Sequence, residues 1–232
     1  MKVALLLLAA AVVGAAGCTN NDISMSIIQM QAVTRQNMCV AMAGTSTMTR
    51  PRGLLDVANV TTSGYIGVPV VRNNLLASTS SVEFNSIQLQ GVNIKLTTAA
   101  GAALTLPSGQ SSFFYASAGG RLDPAGTAAM FVEILSADSA RALAGMIPAN
   151  GKFTVMAELR PVGMRSSDQI IGGPIDFPID LCQGCLTEVS TCPLPKGTMI
   201  ELPCFVQQDD PTICCTDATG ARLCGGAAPI AM

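Results

Sequence analysis

The chain has 232 residues, of which 49% are hydrophobic and only 12% charged, with a formal net charge of -2. So weak a balance supplies no basic face for nucleic acid. Few aromatics and no tryptophan leave little for stacking platforms, and the absence of histidine removes Ser-His-Asp and Cys-His catalysis and every histidine metal site.

The chain opens with Lys2, an unbroken apolar run from Val3 to Val13, and the small residues Ala15-Ala16-Gly17 directly before Cys18. A positive start, a short apolar core and a small-residue cleavage site predict a secretory signal peptide. The run is too short to cross a bilayer, which needs about twenty apolar residues. Gly17-Cys18 resembles the lipobox of bacterial lipoproteins, although Ala15 stands where that signal usually has leucine. The resemblance implies a leader over 1–17, acylation of Cys18, and a short lipidated tether over 18–22. More than one acyl chain would hold the protein firmly. Thr19 in place of aspartate implies, by the same resemblance, the outer membrane. A plain signal peptide cut near Ala16 or Gly17, releasing a soluble secreted protein, is the alternative.

Residues 23–181 read as a series of short strands. Asp22 to Thr34 alternates, with a change of phase that predicts a bulge near Ile27-Ile28. Cys39 to Met42 is a short apolar piece. Gly53 to Asn59 and Tyr65 to Arg72, separated by Thr61-Thr62-Ser63-Gly64, read as a hairpin, with Pro69 placing the second run at a sheet edge. Glu83 to Thr98 alternates on either side of Gly91, a predicted bulge or bend. Ser111 to Ala116 and Gly126 to Leu135 are two further strands, the second following an Asp123-Pro124-Ala125-Gly126 turn. Ser136 to Ile147 changes to helical spacing, with Ser136 or Asp138 as cap and Pro148 as stop. Lys152 to Val162 and Ile170 to Leu181 are the last two strands, joined by a polar turn at Arg165-Ser166-Ser167-Asp168. Pro174 and Pro178 call for an edge position or a bulge. The expected fold is all-β: an antiparallel Ig-like β-sandwich with one short helix and a disulfide-rich C-terminal tail.

The tail, residues 182–232, is rich in Cys, Pro, Gly and Thr. It reads as a loop-rich appendage with at most one short strand over Met199 to Val206. The chain has nine cysteines; nine less Cys18 leaves eight, namely Cys39, Cys182, Cys185, Cys192, Cys204, Cys214, Cys215 and Cys224. An even number in an exported protein reads as a disulfide framework whose pairing the sequence leaves open. Full pairing requires Cys39 to reach into the tail; adjacent Cys214 and Cys215 could bond each other only as a strained ring, so they are expected to take different partners.

The same residues bear on other chemistry. Cys182-Gln183-Gly184-Cys185 has redox-dithiol spacing but opens no helix. Cys182, Cys185, Cys192 and Cys204 would be the natural zinc set, with only one CxxC knuckle among their spacings. Asp209, Asp210 and Asp217 near Gly220 do not match a calcium loop. Asp176 and Asp180, with Glu133 and Glu158, are the candidate carboxylates for acid-base work. Structural disulfides are preferred for the cysteines, a solvated acidic turn for Asp209, Asp210 and Asp217, and surface alternation for the other carboxylates, so no catalytic residue, metal or cofactor is expected.

Gly17-Cys18, Leu54-Leu55-Asp56-Val57, Tyr65 to Leu75 with Asn73-Asn74, and above all Phe177-Pro178-Ile179-Asp180-Leu181-Cys182-Gln183-Gly184-Cys185 resemble uncharacterised myxobacterial-type outer-membrane lipoproteins. The resemblance implies a β-rich body with a cysteine-rich tail and carries no activity. The expectation is a non-enzymatic binding or envelope module, anchored to the bilayer through acylated Cys18, with an unknown protein or envelope partner. An exported thiol-disulfide or metal-handling protein and an exported carboxylate hydrolase are the alternatives.

Overall fold

The computed structural model describes residues 23–33, 39–43, 48–60, 63–106, 110–194, 204–205, 207–220 and 222–224. The leader 1–17, Cys18 and the tether to residue 22 lie outside the described residues. The fold is all-β with one short α-helix. No helix among the described residues is long and apolar enough to cross a membrane.

The largest sheet runs β2 (Gly53–Asp56), β11 (Ile175–Cys182), β9 (Phe153–Arg165), β5 (Ile87–Thr98), β6 (Phe113–Leu122), with β10 (Asp168–Ile171) on β9. Its centre follows from alternation. Val155, Ala157 and Leu159 of β9 are fully buried, while Arg160 is exposed and Glu158 half-buried. Ile94 and Leu96 of β5 and Phe177, Ile179 and Leu181 of β11 point the same way. A second sheet joins β1 (Met25–Met30), β4 (Pro69–Asn73) and β7 (Thr127–Ala129), and β3 (Tyr65–Gly67) pairs with β8 (Val132–Leu135). Met25, Val71, Tyr65 and Ile134 from these strands join the same core cluster as the large sheet. The Tyr65 and Phe177 rings meet at 5.8 Å.

Both predicted bulges form: pairing shifts between Ile27 and Gln29 in β1, and between Leu89 and Gly91 in β5. The helix α1 (Ala137–Leu143) is capped by Ser136, whose hydroxyl accepts from the Ser139 N–H, and buries Ala140 and Leu143. The Asp123–Gly126 turn closes with a 2.8 Å hydrogen bond from the Gly126 N–H to the Asp123 carbonyl.

Several expectations are overturned. The runs at 53–59 and 65–72 form no hairpin. β2 pairs in parallel with β11, β3 with β8, and β4 with β1 and β7. Local turn chemistry at 61–64 says only that the chain reverses; which strand supplies hydrogen bonds is set by the distant apolar faces. Pro69 is not at an edge but is the first residue of a central strand, a place where a missing N–H is tolerated. Cys39–Met42 forms no strand. The run 126–135 is broken into β7 and β8, and the aromatic strand extends to Leu122. The turn at 165–168 leads into β10, a hairpin on β9, rather than straight to the last strand. Pro178 does sit on a locally free edge, because β2 pairs with β11 only from Ile179 onward.

The tail is more regular than expected. β12 (Thr187–Thr191), β13 (Thr212–Thr216) and β14 (Arg222–Cys224) form a three-stranded sheet. It has a small apolar centre of Leu194 and Cys215, backed by Cys192, Ile213 and Leu223. Cross-linking lets this minimal core suffice. The strand proposed over Met199 to Val206 falls largely outside the described residues.

Because Ile94 is wholly buried and Ile171 is 54% exposed, truncating each gives contrasting outcomes. Ile94→Ala is expected to lower the unfolding free energy by about 2–5 kcal/mol. Ile171→Ala should change it by less than about 0.5 kcal/mol. Urea unfolding of the disulfide-intact protein checks both.

Candidate functional site

A group of interlinked polar side chains lies around β2, where the tail returns to the body. β11 covers one edge of this strand. The other edge receives residues 207–209: the Asp56 N–H donates to the Gln207 carbonyl at 2.9 Å and the Asp209 N–H to the Leu54 carbonyl at 2.8 Å. Gln207 and Asp209 both have φ of 64°, a left-handed conformation that non-glycine residues adopt only where surrounding structure holds them.

Side chains do the holding. The Gln208 amide grips β3 twice, accepting from the Ile66 N–H at 2.8 Å and donating to the Ile66 carbonyl at 2.6 Å. Asp209 accepts from the Leu54 N–H at 2.8 Å, the Tyr65 hydroxyl at 3.1 Å and the Gln208 amide at 3.3 Å, and pairs with Arg50 at 3.3 Å. Burial pushes the Asp209 carboxyl above its ordinary range, against the downward pull of Arg50 and of these hydrogen bonds. Burial, and then the Asp209 charge, push the Tyr65 phenol upward as well. Tyr65 is therefore a fixed hydrogen-bond donor. A cavity of about 10 Å³ lies beside this cluster, room for about one water. Gln31 lines it, and the Gln31 Nε2 is buried without a hydrogen-bond partner among the described residues.

Asp56, at the end of β2, is fully buried. Its carboxylate accepts from the N–H groups of Ala58 at 3.1 Å, Gly184 at 2.7 Å and Leu186 at 3.0 Å, and from the Thr187 hydroxyl at 3.1 Å. Two of these donors belong to the loop that carries Cys182 and Cys185. One carboxylate therefore fixes the start of the tail. Its oxygen and the two sulfurs lie within 4.8 Å of one another. Asp180 makes a third junction, accepting from Arg52 at 2.9 Å and from the Thr154 hydroxyl at 2.7 Å.

Six of the eight predicted cysteines form three pairs among the described residues. Cys39 bonds Cys204, Cys182 bonds Cys185, and Cys192 bonds Cys215, with Cα separations of 5.4, 5.9 and 5.0 Å, inside the usual disulfide range. Cys214 is disulfide-bonded too, and the backbone register of β13 and β14 sets Cys224 opposite it. Cys39 thus reaches the tail, and Cys215 is bonded to Cys192 while Cys214 lies in a different disulfide, as expected. The four-thiolate set of Cys182, Cys185, Cys192 and Cys204 is not brought together as ligands, because its members lie in three different disulfides.

The acidic candidates also scatter. Asp209 is held by Tyr65 and Arg50, while Asp217 caps its own turn through the Thr219 N–H and hydroxyl. Asp176 and Glu158 do face each other across β11 and β9, with Lys95 opposite Glu158 and Arg160 donating to it at 2.7 Å. This is a charged ladder on an open sheet face. Sequence reasoning missed Asp56, Tyr65 and Gln208. Asp56 follows two leucines and looks like the end of any strand. Asn73, like Asp56 and Tyr65, lies in segments that carry the family resemblance without showing a role. It proves to be a buried clamp, donating to the carbonyls of Asn85 at 2.7 Å and Leu122 at 3.3 Å.

Asp56→Ala would leave several buried N–H groups unpaired, and is expected to lower stability by about 3 kcal/mol or more, with Asp56→Asn intermediate. Chemical unfolding with disulfides intact reads both. Asp209 gives a pH signature. Its folded carboxyl binds a proton more readily than the unfolded one. Its contribution is thus present below the ordinary carboxylate range and lost as pH rises through the folded value. The stability of wild type relative to Asp209→Asn is expected to fall as pH rises through that window, measured by urea unfolding at a series of pH values.

Comparison with known proteins finds no family model, no curated protein and no solved structure that matches this chain.

Proposed function

We propose that this protein is an extracytoplasmic lipoprotein, anchored through acylated Cys18 in the outer membrane, whose body is a non-enzymatic binding or envelope module. The observation that carries this reading is the oxidised cysteine framework. Cys39–Cys204, Cys182–Cys185 and Cys192–Cys215 are bonded, and such frameworks persist in oxidising compartments. Export demands a leader, and the expected leader ends just before Cys18, the cysteine left over when the other eight pair. The polar groups gathered at β2 grip this chain's own backbone, which suits a scaffold.

The body is proposed to be an antiparallel Ig-like sandwich over 23–181, with 182–232 as the disulfide-held tail. Strand order supports it. β3 and β4 follow each other along one line, as do β7 and β8, and they pair β3 with β8 and β4 with β7. The first edge is divided between β1 in one sheet and β2 in the other, and β2 runs parallel to the last body strand, β11. Two sheets that turn alternate residues onto one shared core suit the sandwich layout.

A second reading, thiol–disulfide exchange or metal handling, is favoured only by the closeness of Asp56 to Cys182 and Cys185.

Intact-mass spectrometry of the protein from native membranes tests the first reading. The expected mass is that of a chain beginning at Cys18, increased by acyl groups and carrying no free thiol. A full-length, reduced chain in the cytosol overturns it. A native protein with free Cys182 and Cys185 thiols, or with bound metal, would favour the second reading.

A further inference from the structure

The body has two unlike ends. One holds the entry to β1, the loop 74–86 between β4 and β5, the last residues of β6 and the β9–β10 turn. Hydrogen bonds draw these pieces together. The Asn74 N–H donates to the Ser24 carbonyl and the Asn74 amide to the Ile23 carbonyl, both at 2.9 Å. Asn73 holds Asn85 and Leu122, and the Ala125 N–H donates to the Leu75 carbonyl at 3.0 Å. The Ile23 side chain lies against Gly173, just before β11. β11 then carries the chain about 23 Å away to Cys182, where the tail begins.

The loop 74–86 is built in an unusual sense. Its polar side chains serve its own backbone: Glu83 accepts from the N–H groups of Ser78 at 2.9 Å and Asn85 at 2.7 Å, Ser80 donates to the Val82 carbonyl at 2.6 Å, and the Asn85 amide donates to the Leu76 carbonyl at 2.8 Å. Its apolar side chains are left outside. Leu76 is 80% exposed, more than any other large apolar side chain among the described residues, and Phe84 and Val82 are 56% and 55% exposed. Ile23, beside the loop, is also exposed. Neighbouring ionisable groups are matched in sign. Arg121 pairs with Asp123 at 3.0 Å, and Arg165 is the register partner of Asp168. Apolar side chains gathered at one exposed place and rimmed by polar groups mark a protein or membrane contact.

We propose that this end of the body rests on a lipid bilayer, with Leu76, Val82 and Phe84 set into the boundary between headgroups and acyl chains beside Ile23. The proposal rests on the reading of Cys18 as acylated, and the length of chain between Cys18 and Ile23 is what selects the occupant. Five residues at no more than about 3.6 Å each reach about 18 Å. The acyl chains therefore keep Ile23, and the loop bonded to it, within that distance of the surface. A small folded domain is about 30 Å across, too thick to sit in the gap. Apolar side chains at a bilayer surface enter about 5–10 Å, a depth that a loop held this close reaches. The contact also sets an orientation. Phe113 stands about 30 Å along β6 from Leu122, so it and the tail face away from the membrane.

Photolabelling from within the bilayer tests it. The native protein is reconstituted in vesicles of phosphatidylethanolamine and phosphatidylglycerol that include a phospholipid with a diazirine in its acyl chain. After photolysis, mass spectrometry maps the labelled peptides, and the intact mass of the same sample reports acylation. The expected result is an acylated chain labelled within 74–86 and unlabelled at Phe113, which is 57% exposed, and at Val189 of the tail. Leu76→Ser combined with Phe84→Ser changes only exposed side chains. This variant is expected to keep its acyl groups and its thermal transition while labelling of the loop falls several-fold. An acylated chain whose loop is unlabelled, whose Phe113 is labelled equally, or whose labelling survives the double substitution overturns this proposal and leaves the lipoprotein reading standing. A chain without acyl groups overturns that reading, and this one with it.

Discussion

Gly53–Asp56 is a strand whose two sides are completed only by late parts of the chain. Its backbone takes hydrogen bonds from β11 on one side and from residues 207–209 on the other. Buried main-chain groups left without partners cost about 1–3 kcal/mol each, so the strand is committed to these distant pieces. The side chains around it serve the same end. Asp56 binds the loop at Gly184 and Leu186, Asp209 binds Leu54, and Asp180 binds Arg52. Each carboxylate is buried because it accepts hydrogen bonds from several donors.

The tail therefore behaves as part of the sheet system, despite a composition that sets it apart. Leu194 and Cys215 make only a small apolar centre. What it lacks in apolar burial it recovers through covalent links, and through the Gln208 amide that mimics a strand neighbour for Ile66. Cys39–Cys204 joins it to the early chain across a sequence separation of 165. Closing so long a loop restricts the unfolded chain strongly in the entropic account of disulfides.

What could be read from the residues was whatever local physics decides. Alternation and a single out-of-phase residue located the bulges at Ile27–Gln29 and Leu89–Gly91. A serine ahead of a helical apolar stripe located α1. The cysteine number required Cys39 to cross into the tail. What could not be read was pairing between elements far apart in sequence. Thr61–Gly64 has the chemistry of a hairpin turn, yet the strands on either side go to different partners. Asp209 read as a solvated acid because nothing near it in sequence announces Tyr65 or Arg50. Asp56 was hidden for the same reason: its partners lie beyond residue 183.

The parallel pairing of β2 with β11 also has a temporal side. Ile179 is matched to Gly53, so most of the polypeptide lies between the members of the pair, and contacts of such long range slow folding. A chain threaded through a translocation pore amino end first would hold Leu54 and Leu55 bare while the intervening strands emerge. On that proposed route its early segments would wait in a sticky, half-made condition until the final quarter arrives. An escort that shields them during that interval would decide the yield.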